Sequence, residues 1–445
     1  MASARGAWLP WIGLIALGLA ARLAALRFVA NYTQPWPWEA EIMAQHLVER
    51  GTLAFDFYGL TPPLPTAFLP PVYPLFIAAI RWVVGPDYLS ALQLAQVAIS
   101  LVAVALLVPI AREVTGSRPA SWAAGVIAAV YPVFIMNVAQ VNTVSLEVLW
   151  IEVFVGALFL WARRPSALGW LALAGLGLGL LALTRGPALL IWPVVGVWLL
   201  LVYPGRALHR RILWVAVFSA LLILPLVPWT LRNSAVLSAP VTIATNGGVN
   251  FWIGHNPWAD GEYAWPIETD RALAEQAAQL SEPQRDALYY RLGLEYAQSH
   301  PAEEVALSLR KLWYFIWFRP NLGSSYPNAE GFQVLAQTAL MGSYAVVGVA
   351  AVFGLWLTRS RWRRLFVIYG LWVAYGASAV MYFSATRFRA PVEPFLIVFA
   401  GAGATWAFDR LKTKSRRRKA DLAPRADHQM RSAPAQEARA RVTLD

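Results

Sequence analysis

The chain has no cysteine and few charged side chains among its 445 residues. Without cysteine there are no disulfides, no thiolate metal site and no cysteine nucleophile, and the redox compartment leaves no mark on the sequence. Charged residues make up 14% of the chain and hydrophobic ones 58%, with a mean hydropathy of +0.49. Soluble domains carry about a quarter charged residues, so this balance excludes an ordinary soluble protein and implies a membrane protein. A Walker-type glycine-rich loop and an HExxH pair are also missing, and no ligands cluster at metal-binding spacing. A nucleotide site therefore has no support, a divalent metal has only weak support, and no cofactor is certain. There is no tandem repeat and no soluble catalytic domain, so any chemistry must be carried by loops and helix ends.

What is present is a series of apolar segments. The first, WLPWIGLIALGLAARLAALRF, can span the roughly 20 residues that a bilayer requires and lacks a signal peptide's cleavage site, so it is expected to be retained. Others run at about 89–111, 119–138, 142–161, 168–184, 187–203, 212–228, 334–357, 365–383 and 391–408. Basic residues concentrate in cytoplasmic connections, which puts AREVTGSR, ARRP, YPGRALHRR and TRSRWRR on that side. With the N-terminus also inside, an even number of crossings must precede residue 111. PVYPLFIAAIRWVVG (71–85), with leading prolines and an interior Arg81, is then expected to lie at or dip into the outer interface. The result is an all-α polytopic bundle of about ten transmembrane helices with two large outer loops, about 29–88 and 229–333. Helical periodicity in the second loop predicts short helices broken near Pro283 and Pro301. Residues 409–445 hold eleven basic residues against five acidic ones, half of the net charge of +12. This stretch reads as a disordered cytoplasmic tail beside anionic lipid, and nucleic acid is not an expected partner.

Three groups of residues can carry chemistry. Glu39 and Glu41, in WPWEAEIMAQHLVERG, follow the first span in a chain poor in acids. Residues two apart on a helix point in different directions, so one pocket can take only one of them. A carboxylate at the low-dielectric edge of a bilayer has a raised pKa suited to general-base work on a hydroxyl; alternatively both acids face headgroups and water. Arg387 and Arg389, in SATRFRAPVEPF, are basic residues on the outer side, and guanidinium groups clamp phosphates well. They can equally snorkel to lipid phosphates or pair with Glu393, and Arg232, in PWTLRN, has the same two readings. In TNGGVNFWIGHNPWADGEY the glycines permit close backbone approach. There Trp252, Trp258 and Tyr263 could stack on a sugar, the amides of Asn246, Asn250 and Asn256 could read hydroxyls, and His255 and Asp260 add polar groups. A structural turn packing the loop on the bundle accounts for the same residues. NYT (31–33) matches a glycosylation sequon of a kind common by chance.

Taken in order, WEAEIMAQHLVERG, LPTAFLPPVYPLFIAAIRWVVG, ALTRGPALLIWP, VPWTLRN, VTIATNGGVNFWIGHNPWADGEY, SHPAEEVALSLRKLWYFIW and TRFRAPVEPFLIVFA resemble a family. It is the bacterial Rgt-like and protein-mannosyltransferase-like branch of the GT-C integral membrane glycosyltransferases, to which the aminoarabinose transferases are also related. The resemblance covers about residues 8–408. It implies a multi-pass enzyme, expected in a bacterial plasma membrane, that transfers a sugar from a polyprenyl-phosphate donor to a protein, lipid or cell-envelope glycan at the outer face. It also implies an acid in the first outer loop at the active site. Here that acid matches Glu39, a Glu where relatives usually have Asp. By the same resemblance the TRFR arginines hold a lipid phosphate, and Tyr73, in PTAFLPPVYP, borders the cavity. The competing class is a polytopic transporter or lipid-linked glycan flippase. Transporters bind at the bilayer midplane, whereas the polar residues here collect in two loops on one face.

Overall fold

The computed structural model describes residues 8–28, 38–203, 207–264, 266–317 and 330–431. NYT and residues 432–445 lie outside the described residues. Helices dominate, and the described strands are one short antiparallel pair, Ala54–Phe55 with Leu64–Pro65, in register Ala54↔Pro65.

Five described stretches are long and apolar enough to cross a membrane: Leu9–Arg27, Leu89–Thr115, Val144–Arg163, Thr338–Met381 and Thr386–Ser415. A sixth forms if Leu208–Ile223 and Leu226–Leu237, bent by 46°, count as one span. The expected count of ten is not reached by this measure, and the reasons are local. The 119–138 segment divides into Arg118–Val130 and Pro132–Asn137. Pro132 disfavours helical backbone at the residue before it, and Tyr131 is extended, with ψ 118°. The 168–184 segment supplies only the 15-residue helix Leu168–Ala182. Beyond it the chain passes through a 3-10 turn at Gly186–Leu190, a short α-helix and a π-helical turn at Trp198–Val202. Thr338–Met381 contains two of the expected segments, joined by a 3-10 turn at Arg359–Arg361. Its 44 residues would extend about 66 Å as helix, twice a hydrocarbon core.

The connections between spans carry their own structure. Val72–Val84 is too short to cross by itself and packs on the helix Glu39–Arg50. The second loop folds into helices at Gly247–Gly254, Arg271–Ala278, Glu282–Ser299 and Pro301–Ile316. Pro283 and Pro301 fall in first turns, where the missing N–H costs nothing. The last helix, Glu393–Arg431, continues the basic stretch as helix to Arg431.

One large apolar core holds the bundle together, including Leu107, Ile151, Phe154, Trp161, Trp198, Phe218 and Phe395. A second core lies beneath the loops and joins Phe55, Phe57 and Phe68 to Trp229, Trp252 and Tyr289. Polar contacts lock the two long loops together above it. Glu282 accepts hydrogen bonds from Thr66 Oγ1 (2.6 Å), the Ala67 amide (2.8 Å) and Thr245 Oγ1 (2.6 Å). Arg285 stacks on Phe57 at 3.8 Å and donates to the Ala277 and Leu280 carbonyls. The loops thus form one lobe whose underside is a cavity.

Candidate active site

Where the first and second loops meet the helix ends there is a cavity of about 550 Å³. Its wall includes Glu39, Tyr58, Tyr73, Arg185, Asn246, Asn250, Tyr263 and Arg387. These residues come from six separate parts of the chain, so the site exists only once the lobe has closed over the bundle.

Glu39 opens its helix, where the N-terminal end of the helix dipole favours an acid. It is half-buried and takes a hydrogen bond from Tyr58. Burial lifts its carboxyl above the ordinary carboxylate range, while its own backbone amide, the Arg387 guanidinium and the Tyr58 hydroxyl pull the other way. Tyr58 is presented by an unusual turn: Phe57, Tyr58 and Gly59 all have left-handed backbones, with φ of 40°, 60° and 79°. Two consecutive non-glycine residues in that region store strain, here held by the anchoring of Phe57, 1% exposed, beneath Arg285. Burial and the neighbouring Glu39 push the Tyr58 hydroxyl well above its ordinary pKa, so it remains a proton-bearing donor.

Glu41, two residues on, points elsewhere. It is buried, accepts from the Trp38 amide (3.1 Å) and from the Tyr88 hydroxyl, and so ties the helix start to the helix beginning at Leu89. Burial raises its pKa, opposed by those two donors. The arginines of TRFR separate in the same way. Arg387 lines the cavity. Arg389 is buried, bonds Glu393 at 2.5 Å and stacks on Tyr344 at 3.8 Å. Its Nη1 donates to the carbonyls of Phe315 (2.9 Å), Ile316 (3.3 Å) and Trp317 (3.3 Å), closing the C-terminus of the Pro301–Ile316 helix. Arg232 donates to the carbonyls of Thr66 and Leu53 and joins the bent helix to the first loop outside the cavity lining.

The second-loop residues are also divided. Asn246 and Asn250 line the cavity, and Tyr73 does so while donating to Gln96. Asp286 supports these asparagines by accepting from the Gly248 amide at 2.5 Å; an added Cβ at Gly248 would clash with the Asp286 carbonyl oxygen. Trp252, His255 and Asn256 instead line a second, shallower groove of about 470 Å³ on the lobe. There Asn256 bonds the Trp252 and Ile253 carbonyls. His255 lies 2.8 Å from Glu304, 2.9 Å from the Met381 carbonyl and 3.2 Å from Lys311. Burial and Lys311 lower the His255 pKa, and burial lowers that of Lys311 to about 8. Asp260 caps the Glu262 amide and lines neither space.

Arg185 lies outside the three groups of candidate residues in the sequence. It follows the Leu168–Ala182 helix, lines the cavity, stacks on Phe388 at 3.7 Å and lies 3.5 Å from Glu147. A signal exists in ALTRGP: an arginine inside an apolar run, placed where Gly-Pro breaks the helix. Among the described residues, no three His, Asp or Glu side chains gather as metal ligands.

A lobe over an apolar bundle, with a carboxylate and two guanidinium groups lining one cavity, agrees with a GT-C integral membrane architecture, and similarity to known proteins supports that fold. The family model described as dolichyl-phosphate-mannose-protein mannosyltransferase matches residues 69–229. The fold resembles the Archaeoglobus fulgidus oligosaccharyltransferase AglB, solved in complex with an inhibitory peptide and a dolichol-phosphate. That similarity has a TM-score of 0.57 at 13% identity and covers 94% of this chain and 52% of AglB. The apo form of the Archaeoglobus fulgidus enzyme gives a TM-score of 0.56 at 14% identity over 92% of this chain and 52% of that one. ArnT from Cupriavidus metallidurans, solved bound to undecaprenyl phosphate, gives 0.44 at 16% identity over 91% and 78%. The chain thus spans about half the length of the oligosaccharyltransferase whose fold it shares. No curated protein sequence matches it significantly.

Proposed function

We propose that this chain is a glycosyltransferase that moves a sugar from a polyprenyl-phosphate carrier to an acceptor hydroxyl. The observation that carries the reading is Glu39, hydrogen-bonded by Tyr58 and drawn toward Arg387, in a cavity walled by loops and apolar helix ends. The acceptor oxygen attacks the anomeric carbon and its proton passes to Glu39. The bond from the anomeric carbon to the phosphate oxygen breaks, and its electron pair leaves with the polyprenyl phosphate. General-base help of this kind contributes about 10²–10⁴-fold. Arg387 and Arg185 face the charge that grows on the leaving phosphate, the place where preorganised donors act most strongly. Tyr58 orients the carboxylate, and Asn246, Asn250, Tyr263 and Tyr73 are the groups available to the sugar.

The reading treats 1–408 as one catalytic unit in a bacterial plasma membrane. The cavity is on the outer side and the basic stretch from 409 is cytoplasmic, in line with the basic connections. Purified protein incubated with radiolabelled polyprenyl-phosphate sugars tests it: release or transfer is expected from wild type and lost in a folded Glu39→Gln variant. Equal turnover by both would remove Glu39 from the chemistry, and vectorial uptake into liposomes without sugar transfer would replace the enzyme by a transporter.

A further inference from the structure

Behind the cavity wall lies an acid that the proposed chemistry does not use. Glu147, in the first turn of Val144–Arg163, is 0% exposed. Its Oε1 accepts from the Thr143 hydroxyl and lies 3.5 Å from Arg185 Nη1, while Oε2 is buried without a hydrogen-bond partner. Thr143 and Arg185 both line the cavity, and Arg387 and Tyr375 lie within electrostatic reach of Glu147. The wall and its support therefore bring two guanidinium groups, Arg185 and Arg387, together with two carboxylates, Glu39 and Glu147.

We propose that Glu147 is a positioning residue that balances the charge of the phosphate site so that the spent carrier leaves. The inference rests on the function proposed above. A glycosyl polyprenyl phosphate is a diester with one negative charge; the departing monoester carries two. Before transfer the four side chains sum to zero. When Glu39 takes the acceptor proton they sum to +1 as the leaving group passes from −1 to −2, so the total in a low-dielectric site is unchanged. Once Glu39 returns that proton to water, the side chains are neutral again and hold the dianion weakly. Without the charge on Glu147 the site would be +1 at rest and would retain its product.

The test compares competitive inhibition by a polyprenyl phosphate with binding of its methyl diester, at pH 8 where the monoester is a dianion. Wild type is expected to bind the two within a few-fold. In Glu147→Gln, which keeps a hydrogen-bond partner for Thr143, the monoester is expected to gain about tenfold or more over the diester, the size of one added charge interaction at a partly buried site. Turnover should then become limited by product release. If Glu147 only props Arg185 in place, both ligands weaken together in the variant, and the inference fails. Should the variant not fold, the wild-type ratio decides: a monoester preference beyond about thirtyfold overturns charge balance. Absence of transfer by wild type from every donor would sink the function proposed above, whereas the monoester-to-diester ratio still reports on Glu147.

Discussion

The cavity wall and the layer of side chains behind it are built from the same residue types and differ in what those residues are committed to. In front stand Glu39, Tyr58, Arg185 and Arg387, facing about 550 Å³ of space. Behind stand Glu41 under Tyr88, Arg389 on Glu393 and three backbone carbonyls, and Lys311 among His255, Glu304 and the Val380 carbonyl. The two layers are adjacent in sequence as well as in space, since Glu39 and Glu41, like Arg387 and Arg389, are two residues apart. A residue's chemical type therefore says little about its role here. Whether it lines the cavity or is enclosed among protein groups says more.

Substitutions that treat the two layers alike should break this contrast or sharpen it. The largest effect is expected for Glu39→Gln, with transfer falling about 10²–10⁴-fold and thermal unfolding in detergent unchanged. In wild type the acid limb of kcat/KM should lie above the ordinary carboxylate range, because burial disfavours the ionised base. Rate and unfolding assays on wild type and variant would test this, and a Glu39→Gln protein that loses stability but keeps turnover would place Glu39 in the rear layer.

The arginines come next. Arg387→Gln should cost about 10²-fold in transfer with little loss of stability. Arg389→Gln strands a buried Glu393 and uncaps a helix, and is expected to cost about 3–5 kcal/mol of stability, read as reduced folded yield.

Smaller is the effect of Lys311. Its pKa is lowered from 10.5 to about 8, so between those values the unfolded chain binds the extra proton and stability rises with pH. The gain is complete above the unfolded pKa and is lost as pH falls through about 8. A pH series of unfolding temperatures should show this rise in wild type and lack it in Lys311→Met. Smallest is Glu41→Gln, expected to cost about 1 kcal/mol by weakening two hydrogen bonds while transfer is retained; a large loss of turnover there would move Glu41 to the front layer.

Parts of this arrangement were legible in the chain. Helix geometry requires Glu39 and Glu41 to diverge, and they do. The prolines at 283 and 301 sit in the first turns of second-loop helices, as their fixed φ and missing N–H demand. The crossing count was less legible. Pro132 splits one apolar segment and the 186–202 segment passes through 3-10 and π turns, details that hydropathy averages over. Arg185 is marked only by a charge inside an apolar run, and Tyr58 carries no signal at all, because its place beside Glu39 comes from a left-handed turn clamped by a stack with Arg285 from more than 200 residues away.

By itself, the sequence determined the solvent of most of this protein, its helical class and the scarcity of acids that made Glu39 conspicuous. Those properties are sums over residues or follow from the period of a helix, and both can be read along one dimension. Only the tertiary structure decided which acid and which arginines face the cavity, and that Glu147 stands behind Arg185. Such choices depend on partners brought from distant segments, and a polar atom is committed or left facing a cavity only when those segments meet.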